Sequence, residues 1–333
     1  MTLKAEVDKR CDVPVLLITW RRPETTRQVI NALRHVSPKL VFVASDGPRN
    51  VEEASKVQQT RNLINTEINW DCQIHRRFSS DNQGCRVGVS SAISWFFTHV
   101  EQGIILEDDC VPHPFFFEFC SKMLDRYRDD SRIWTIGGSN YQDGNTRGYG
   151  APYYFSRYML CWGWATWRQR WTSYANNEQM WNEISISDTS QRAMFSDPIE
   201  RSYWLKIWSK LYTENVPDSW AYRWQLVCMA NRGLSVTPNF NLIHNVGIGD
   251  DSTHTQSGKV PLINYNGSAD LQLIPNCILH DAFADRYAFD YYMDGIEARK
   301  SAKLHIQLTR SAKNLLLMPL RLLLRIIRKS LNR

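Results

Sequence analysis

A short apolar run that ends in three carboxylates constrains this chain more than any other feature. Residues 103–106 (Gly-Ile-Ile-Leu) have the composition of a buried strand, and Glu107, Asp108 and Asp109, the acidic triplet, follow directly. Burying unpaired carboxylates costs far more free energy than such a strand gains, and the next residues, 110–112, supply no cation. The sequence therefore predicts a strand end that binds Mg²⁺ or Mn²⁺ together with a diphosphate. A solvated acidic turn is the alternative.

Apolar runs alternate with amphipathic stretches through the first third of the chain, which is the order of a doubly wound α/β sheet. The patterns predict strands at 13–19, 40–45, 72–76 and 103–106, and helices at 24–33, 52–66 and 87–99. Ligands of such mostly parallel sheets bind outside the carboxyl ends of the strands. We therefore expect Asp46, which follows the second strand, to lie on the same rim as the acidic triplet.

The rest of the chain is less regular and indicates one compact unit followed by a tail. It contains no internal repeat and no low-complexity linker. The patterns predict helices at 115–127, 178–215 and 220–231, strands at 133–138 and 234–237, and an aromatic, glycine-rich stretch at 149–171.

The positive charge of the chain is concentrated in the tail. Residues 299–333 carry ten lysine or arginine residues and no acidic ones, which leaves 30 basic and 34 acidic residues elsewhere. Nucleic-acid binding needs a basic face on the body, so no nucleic-acid partner is expected. Arg321, Arg325 and Arg328 form a narrow stripe beside a wide apolar face. This pattern predicts a basic amphipathic helix on an anionic membrane surface; a helix docked on the body is the alternative.

Cysteine usage and the first residues favour a cytoplasmic protein. The eight cysteines are scattered without a Cys-x-x-Cys pair, which disfavours a zinc site or a disulfide framework. The first ten residues have mixed charge and no apolar centre, so no signal segment is expected. With the tail, these observations predict a cytoplasmic protein that is peripheral on the inner face of the cell membrane.

Five segments occur in an order that resembles a known enzyme family. They are Val-Leu-Leu-Ile-Thr-Trp-Arg-Arg-Pro at 15–23, Ser-Asp-Gly-Pro at 45–48, Asn-Gln-Gly-Cys at 82–85, the acidic triplet with Pro-His-Pro-Phe-Phe-Phe-Glu-Phe at 112–119, and Gly-Trp-Ala-Thr-Trp at 163–167. The chain resembles bacterial nucleotide-sugar glycosyltransferases of the GT-A fold. It is similar to the Golgi N-acetylglucosaminyltransferase that initiates hybrid N-glycans.

This resemblance covers about residues 13–256 and implies a domain organisation. A GT-A domain is expected over 1–298, with a nucleotide-binding half at about 13–140 and an acceptor half at about 141–298. The basic amphipathic tail then occupies 299–333.

The resemblance also implies roles for the charged residues on the predicted rim. The last acid of the triplet binds Mn²⁺ in the family, which implies Asp109 as a metal ligand supported by Asp108, and the first acids, here Glu107 and Asp108, contact the sugar nucleotide. Asp46 corresponds to an acid that accepts a hydrogen bond from uracil, and Arg22 to an arginine that contacts the base or the phosphates. The implied partner is a UDP-sugar donor bound with Mn²⁺ or Mg²⁺. An ordinary Asp-Gly turn is the alternative for Asp46.

Two further segments correspond to family regions that contact the sugars and the acceptor. Gly163 and Trp164 match the region under the donor sugar, where Trp162 or Trp164 is expected to form an apolar floor; core packing is the alternative. The family's catalytic base is an acid beside a tryptophan, and Asp218 is the carboxylate available in that segment. Some relatives carry the acid directly after the tryptophan, where this chain has Ala221.

The polar, glycine-hinged segment at 247–255 is typical of a lid that closes over a donor. A histidine after the core completes the metal shell in several families of this fold, which implies His254 and, second, His244. Asp250 and Asp251 are reserve candidates for the base. A solvated loop side chain is the alternative for the two histidines, and a solvated loop acid is the alternative for Asp218.

These expectations combine into one hypothesis. The chain transfers a sugar from a UDP-sugar to a hydroxyl of a glycan or lipid-linked acceptor, by an inverting displacement, in bacterial cell-surface polysaccharide biosynthesis. A metal-dependent nucleotidyltransferase and a non-catalytic module that binds sugar nucleotides or glycans remain open. The first of these usually has a glycine-rich basic loop after its first strand, where this chain has Trp-Arg-Arg-Pro at 20–23.

Overall fold

The computed structural model describes residues 10–247, 261–265, 267 and 269–304. Its strands are β1 (Val15–Thr19), β2 (Leu40–Ser45), β3 (Gln73–Phe78), β4 (Gln102–Glu107), β5 (Cys110–Pro112), β6 (Ile133–Gly137), β7 (Tyr153–Ser156), β8 (Trp164–Trp167), β9 (Leu234–Pro238) and β10 (Ile243–Asn245). Its α-helices are α1 (Pro23–Val36), α2 (Val51–Glu67), α3 (Gly84–His99), α4 (Pro114–Arg126), α5 (Arg168–Trp171), α6 (Asn177–Ser185), α7 (Asp188–Met194), α8 (Pro198–Thr213), α9 (Ala221–Ala230) and α10 (Ala282–Tyr292).

An eight-stranded mixed sheet lies at the centre, with the strand order β3-β2-β1-β4-β8-β6-β9-β7. The first four strands in this order pair in parallel, as do β6 and β9, whereas β8 and β7 run against their neighbours. The result is the mostly parallel, Rossmann-like α/β sheet that the sequence predicts, and it is consistent with the GT-A fold. An antiparallel pair of β5 and β10 follows the end of β4.

Both faces of the sheet are covered, because alternate residues of each strand point to opposite sides. Leu17 of β1 belongs to an apolar core that includes side chains of α1, α2 and α4. Its neighbours Leu16 and Ile18 belong to a second core that includes side chains of α3 and α9. Helices on both faces bury strands on two sides, which explains why β1, β2 and β4 read as continuous apolar runs.

A third apolar cluster joins the helices of the second half. It contains Trp204, Trp208 and Phe289, from α8 and α10. Asp285 of α10 is 1% exposed and accepts hydrogen bonds from Ser156 Oγ at 2.6 Å and from Arg157 Nε at 3.2 Å. These buried polar contacts fix α10 against β7 and the residue that follows it.

The predicted elements of the first third are all present within a few residues of their expected bounds. The sequence patterns did not assign β5, β7, β8, β10 or α10. Arg299, the first residue of the predicted tail, forms ion pairs with Asp197 and Asp290 on the body. The predicted amphipathic helix beyond Leu304 lies outside the described residues. Within those residues, no helix combines the length and apolar character that crossing a membrane requires.

Candidate active site

The acidic triplet lies at the carboxyl end of β4, beside the end of β1. The Trp20 backbone N–H donates to Asp108 Oδ2 at 3.0 Å. Arg22 Nη1 lies 2.7 Å from Asp109 Oδ2 and 3.5 Å from Asp108 Oδ1. The sequence neighbours of the triplet supply no cation, but the fold does, because the turn from β1 into α1 brings Arg22 over the end of β4. This guanidinium compensates part of the negative charge of the triplet.

The carboxyl groups of the triplet have perturbed pKa values. Burial, and then the charges of Asp109 and Asp108, raise the pKa of Glu107 to about 8. Burial and the charge of Asp109 also raise the pKa of Asp108, against the lowering effects of Arg22 and the Trp20 N–H. The triplet is therefore short of positive charge, and a bound divalent cation would favour the ionised forms of both residues.

The donor atoms at the triplet suit a hard cation shared with a ligand. Asp108 and Asp109 offer carboxylate oxygens, and Mg²⁺ in phosphate sites commonly uses one or two protein carboxylates plus water and phosphate oxygens. Within residues 10–247 and the described part of 261–304, no group of three or more His, Cys, Asp or Glu side chains could hold a metal ion. The residues fit a metal that a diphosphate helps to bind, not a closed protein cage.

The chain after β10 passes directly over the triplet. A Cβ atom built at Gly247 would lie 2.1 Å from Asp109 Oδ2, so a larger residue would force a displacement there. The predicted metal ligand His254 and the reserve acids Asp250 and Asp251 follow this contact and lie outside the described residues. Gly247 thus lies where the predicted lid meets the predicted metal ligand.

Asp46 lies at the end of β2 and is held by the loop that leads into α3. Its Oδ1 accepts from the N–H groups of Gln83 and Gly47, both at 2.9 Å, and its Oδ2 accepts from Asn82 Nδ2 at 3.0 Å. Burial raises the pKa of Asp46, and these backbone hydrogen bonds oppose the rise. The Asp46 carboxylate therefore links the end of β2 to the loop before α3, and it also lines the cavity beside them.

A first cavity of about 330 Å³ opens at the carboxyl ends of β1, β2 and β4. Sheet residues and small residues of α3 form its walls, and polar side chains surround them. The lining includes Ile18, Ala44, Gly88, Val89, Ala92, Asp46, Asn82, Gln83, Arg22, Arg49, Arg77, Glu107, Asp108 and Asp218. The rim contains Asp46 and the triplet together, as their strand-end positions predict.

A second cavity of about 760 Å³ lies on the other side of the triplet, within the second half of the chain. Aromatic rings dominate its lining. They belong to Tyr141, Trp162, Tyr203, Trp204, Trp220, Tyr222, Tyr291 and Tyr292. Its carboxylates are those of Glu107, Asp109 and Asp294.

The two cavities meet at the triplet. Arg22, Cys85 and Glu107 line both of them. A ligand that fills the first cavity would therefore present one end, beside the acids and the arginine, to a second ligand in the aromatic cavity. This is the arrangement that transfer between two bound substrates requires.

Asp218, the predicted base, lines the first cavity. Its Oδ2 accepts from the Arg86 N–H at 3.4 Å, and its Oδ1 lies 3.6 Å from Arg86 Nε. The Cys85 thiol, which lines both cavities, has a pKa that is raised by burial and then by Glu107 and Asp218. Asp218 thus lies near the junction, on the wall of the first cavity.

Trp164 is buried, in disagreement with its predicted contact with the donor. Its side chain is 0% exposed, stacks on Trp220 at 5.5 Å between ring centroids, and lines neither cavity. Strand pairing of β8 with β4 turns this side chain into the core. Trp162, the other predicted candidate, lies two residues earlier and lines the second cavity. His244, the second histidine candidate, is exposed in β10 and pairs opposite Val111.

Several residues of the site carry no sequence signal that reveals them. Two guanidinium groups contact the Trp20 ring, that of Arg21 at 4.5 Å and that of Arg49 at 4.7 Å from the ring centroid. Tyr141 and Tyr292 reach the second cavity from segments 151 residues apart in sequence. The only sequence signal for such a cavity is the aromatic-rich composition of the second half of the chain.

Comparison with known proteins adds little to this description. No protein-family model matches the chain, and no curated protein matches it. Among solved structures, the chain is similar to the mannosyltransferase PcManGT from Pyrobaculum calidifontis in complex with GDP-Man and Mn²⁺, at 13% sequence identity and a TM-score of 0.34. The match spans 48% of this chain and 45% of that one, less than half of either protein. A likeness this distant does not bear on the activity of this chain.

Proposed function

We propose that this chain is a metal-dependent glycosyltransferase that moves a sugar from a UDP-sugar to a hydroxyl of an acceptor. One observation carries the proposal. A cavity at the carboxyl ends of the parallel strands and an aromatic cavity meet at the acidic triplet, where Arg22 and Glu107 line both. Sheet-end cavities of this kind bind nucleotides, and aromatic cavities suit sugars because rings pack on the apolar faces of pyranoses.

The nucleotide is assigned to the first cavity. Ala44, Gly88 and Ala92 leave room for a flat base between the sheet and α3, and Asp46 offers a carboxylate at its edge. Uracil has a ring N–H that a carboxylate accepts, whereas cytosine lacks it. This favours UDP, with the uracil assigned to Asp46 as in the resembling family.

The diphosphate is assigned to the junction. Asp109 and Asp108 would hold Mn²⁺ or Mg²⁺ there, and the metal would stabilise negative charge on the departing diphosphate. Arg22 adds a guanidinium that binds phosphate oxygens in a bidentate manner. Glu107 faces both cavities and is assigned to donor binding.

The acceptor hydroxyl must lose a proton, and Asp218 is the proposed base. An inverting displacement needs one carboxylate near the junction, and the support for Asp218 is its position on the wall of the first cavity. Replacing Asp218 by Asn should abolish transfer to an acceptor while leaving UDP binding intact, as measured by thermal shift. If transfer survives in this variant, another group is the base.

The decisive experiment measures UDP released from UDP-sugars in the presence of Mn²⁺, since slow donor hydrolysis needs no acceptor. Asp109→Asn should lower release by about a hundredfold, because it removes a carboxylate from the metal. Asp129→Asn, an exposed acid on the helix-end turn after α4, is the matched control. Release of sugar 1-phosphate, the group left when UMP is transferred, would indicate a nucleotidyltransferase, and binding without release would indicate a non-catalytic module. A preference for GDP-sugars would refute the assignment of the base.

The setting is proposed as the cytoplasmic face of a bacterial membrane, with a glycan or lipid-linked acceptor of cell-surface polysaccharide synthesis. The support is the basic amphipathic pattern of the tail. Flotation of the full chain with anionic liposomes, compared with a chain that ends at Ser311, tests it. Equal flotation of both proteins would remove the membrane from the proposal.

A further inference from the structure

The second cavity contains an aromatic wall assembled from three remote segments. The rings of Tyr141 and Tyr292 stack with centroids 4.5 Å apart and an interplanar angle of 16°. Trp162 meets Tyr141 edge-on at 5.9 Å. Stacked rings of this kind present flat apolar surface, which packs well against the C–H face of a pyranose.

The wall is held in place by a carboxylate outside the cavity. Asp143 accepts hydrogen bonds from the hydroxyls of Tyr292 and Tyr287, the latter at 2.7 Å. Because both tyrosines belong to α10, Asp143 fixes this helix end against the loop that carries Tyr141. The orientation of the wall is therefore set before any ligand binds.

A polar cluster in the same cavity has hydrogen-bonding capacity to offer. Tyr203, Tyr222 and Asp294 line it, and the pKa of both tyrosines is raised by burial and, to a smaller extent, by the charge of Asp294. Among the described residues, none of these three side chains donates or accepts a hydrogen bond in the structure. Two phenol groups and a carboxylate form a donor and acceptor set that suits neighbouring hydroxyls.

The charge of the lining restricts the ligand further. Among the described residues of the lining, the carboxylates are Glu107, Asp109 and Asp294, and the arginine is Arg22, which pairs with Asp109. Asp294 forms no ion pair among the described residues, so an anionic ligand would approach a like charge in a partly enclosed space. An uncharged ligand meets no such penalty.

We propose that the second cavity binds the acceptor as an uncharged saccharide, with a pyranose face on the Tyr141–Tyr292–Trp162 wall and its hydroxyls on Tyr203, Tyr222 and Asp294. The proposal rests on the proposed function in that it calls this ligand the acceptor. It excludes anionic glycans, such as uronic acids, and ligands recognised only through a lipid chain.

Saturation-transfer NMR on the full chain tests this proposal without donor or metal. The probes are neutral methyl glycosides of glucose, galactose, mannose and N-acetylglucosamine, their β-linked disaccharides, and methyl glucuronide as the anionic probe. At least one neutral probe should receive saturation and methyl glucuronide should not. Saturation of no neutral probe, or stronger saturation of the glucuronide, would overturn the proposal.

Variants locate the binding. Asp294→Asn and Tyr292→Ala should each weaken binding of the responding glycoside by about tenfold, through loss of a charge-assisted hydrogen bond and of ring stacking respectively. Tyr149→Ala, which removes a ring that is 91% exposed, is the matched control and should leave binding unchanged. Unchanged binding in both cavity variants would place the saccharide elsewhere and refute the proposal.

Thermal shift with UDP and Mn²⁺, run on the same samples, separates the two proposals. UDP binding without glycoside binding would reject the acceptor proposal alone. Glycoside binding without UDP binding would reject the proposed function and leave the saccharide site standing.

Discussion

The two cavities are built by different means. The first is formed by strand ends, short loops and the start of α3, and its Asp46 and Asp108 carboxylates accept hydrogen bonds from backbone N–H groups, namely those of Gln83, Gly47 and Trp20. The second is formed by aromatic side chains from helices and loops, and its wall is held by side-chain contacts such as Asp143 with Tyr292. A site whose groups are held by backbone N–H donors keeps its geometry as long as the fold is intact. A site held by side-chain contacts can lose its geometry through a single substitution. We therefore expect donor binding to be more robust than acceptor binding.

Arg22, at the junction, gives the largest expected effect. Arg22→Ala should lower the free energy of unfolding of the metal-free protein by about 2–3 kcal/mol, because it leaves partly buried carboxylates without their guanidinium. Mn²⁺ should restore part of the loss, as measured by urea denaturation with and without the metal. Arg128→Ala, an exposed arginine paired with Asp125, is the control. Equal loss in both variants would mean that the triplet does not need Arg22.

A substitution of Asp285 tests whether the packing of α10 affects the first cavity. Asp285→Ala should lower the free energy of unfolding by about 2 kcal/mol, because Arg157 and Ser156 lose a buried partner. UDP release from donor alone should stay near its original rate, since α10 does not line the first cavity. Kinetics and thermal unfolding on one preparation check both. A matched fall in donor hydrolysis would show that the cavities are coupled through the core.

The pH dependence of stability tests the charge of the junction. The native pKa of Glu107 is about 8, above its ordinary value, so the native state holds this proton more tightly than the unfolded state does. Its contribution to stability is complete below about pH 4.5 and is lost as the pH rises through about 8. The metal-free protein should therefore melt at a lower temperature at pH 9 than at pH 6.

Calorimetry across this range checks the effect. Glu107→Gln should flatten the dependence, because the amide does not titrate. Mn²⁺ should protect most at high pH, where the carboxylates are ionised. A melting temperature that rises with pH in the metal-free wild type would contradict the raised pKa of Glu107.

Asp143 gives the smallest expected effect and the most selective one. Asp143→Asn keeps one acceptor for two tyrosine hydroxyls, so KM for a saccharide acceptor should rise by about fivefold with kcat nearly unchanged. Donor hydrolysis should not change. Steady-state kinetics with a neutral acceptor separate the two constants, and a fall in kcat alone would assign Asp143 a different role.

The rim of the first cavity was predictable from the sequence. Apolar runs separated by amphipathic stretches specify parallel strands, and residues that follow such strands share one edge of the sheet. Asp46 and the triplet meet there for that reason. The sequence did not reveal that Arg22 would pair with Asp109, because the contact depends on how tightly the turn after β1 folds back.

The second cavity was not predictable in the same way. Trp162 and Trp164 are equivalent by composition and spacing from the motif, and only the pairing of β8 with β4 and β6 buries one and leaves the other in the cavity. Tyr141 and Tyr292 meet through α10, whose position depends on the buried Asp285 contacts.

The sequence by itself therefore determined the sheet, its acidic rim and the edge of the sheet at which the candidate site lies, because these follow from local periodicity and the direction of the strands. The tertiary structure alone decided which arginine faces the acids, which tryptophan is accessible and how the aromatic wall is assembled. Those features depend on contacts between residues far apart in the chain. The strength of such contacts is set by packing and burial in the folded protein, which no local sequence pattern encodes.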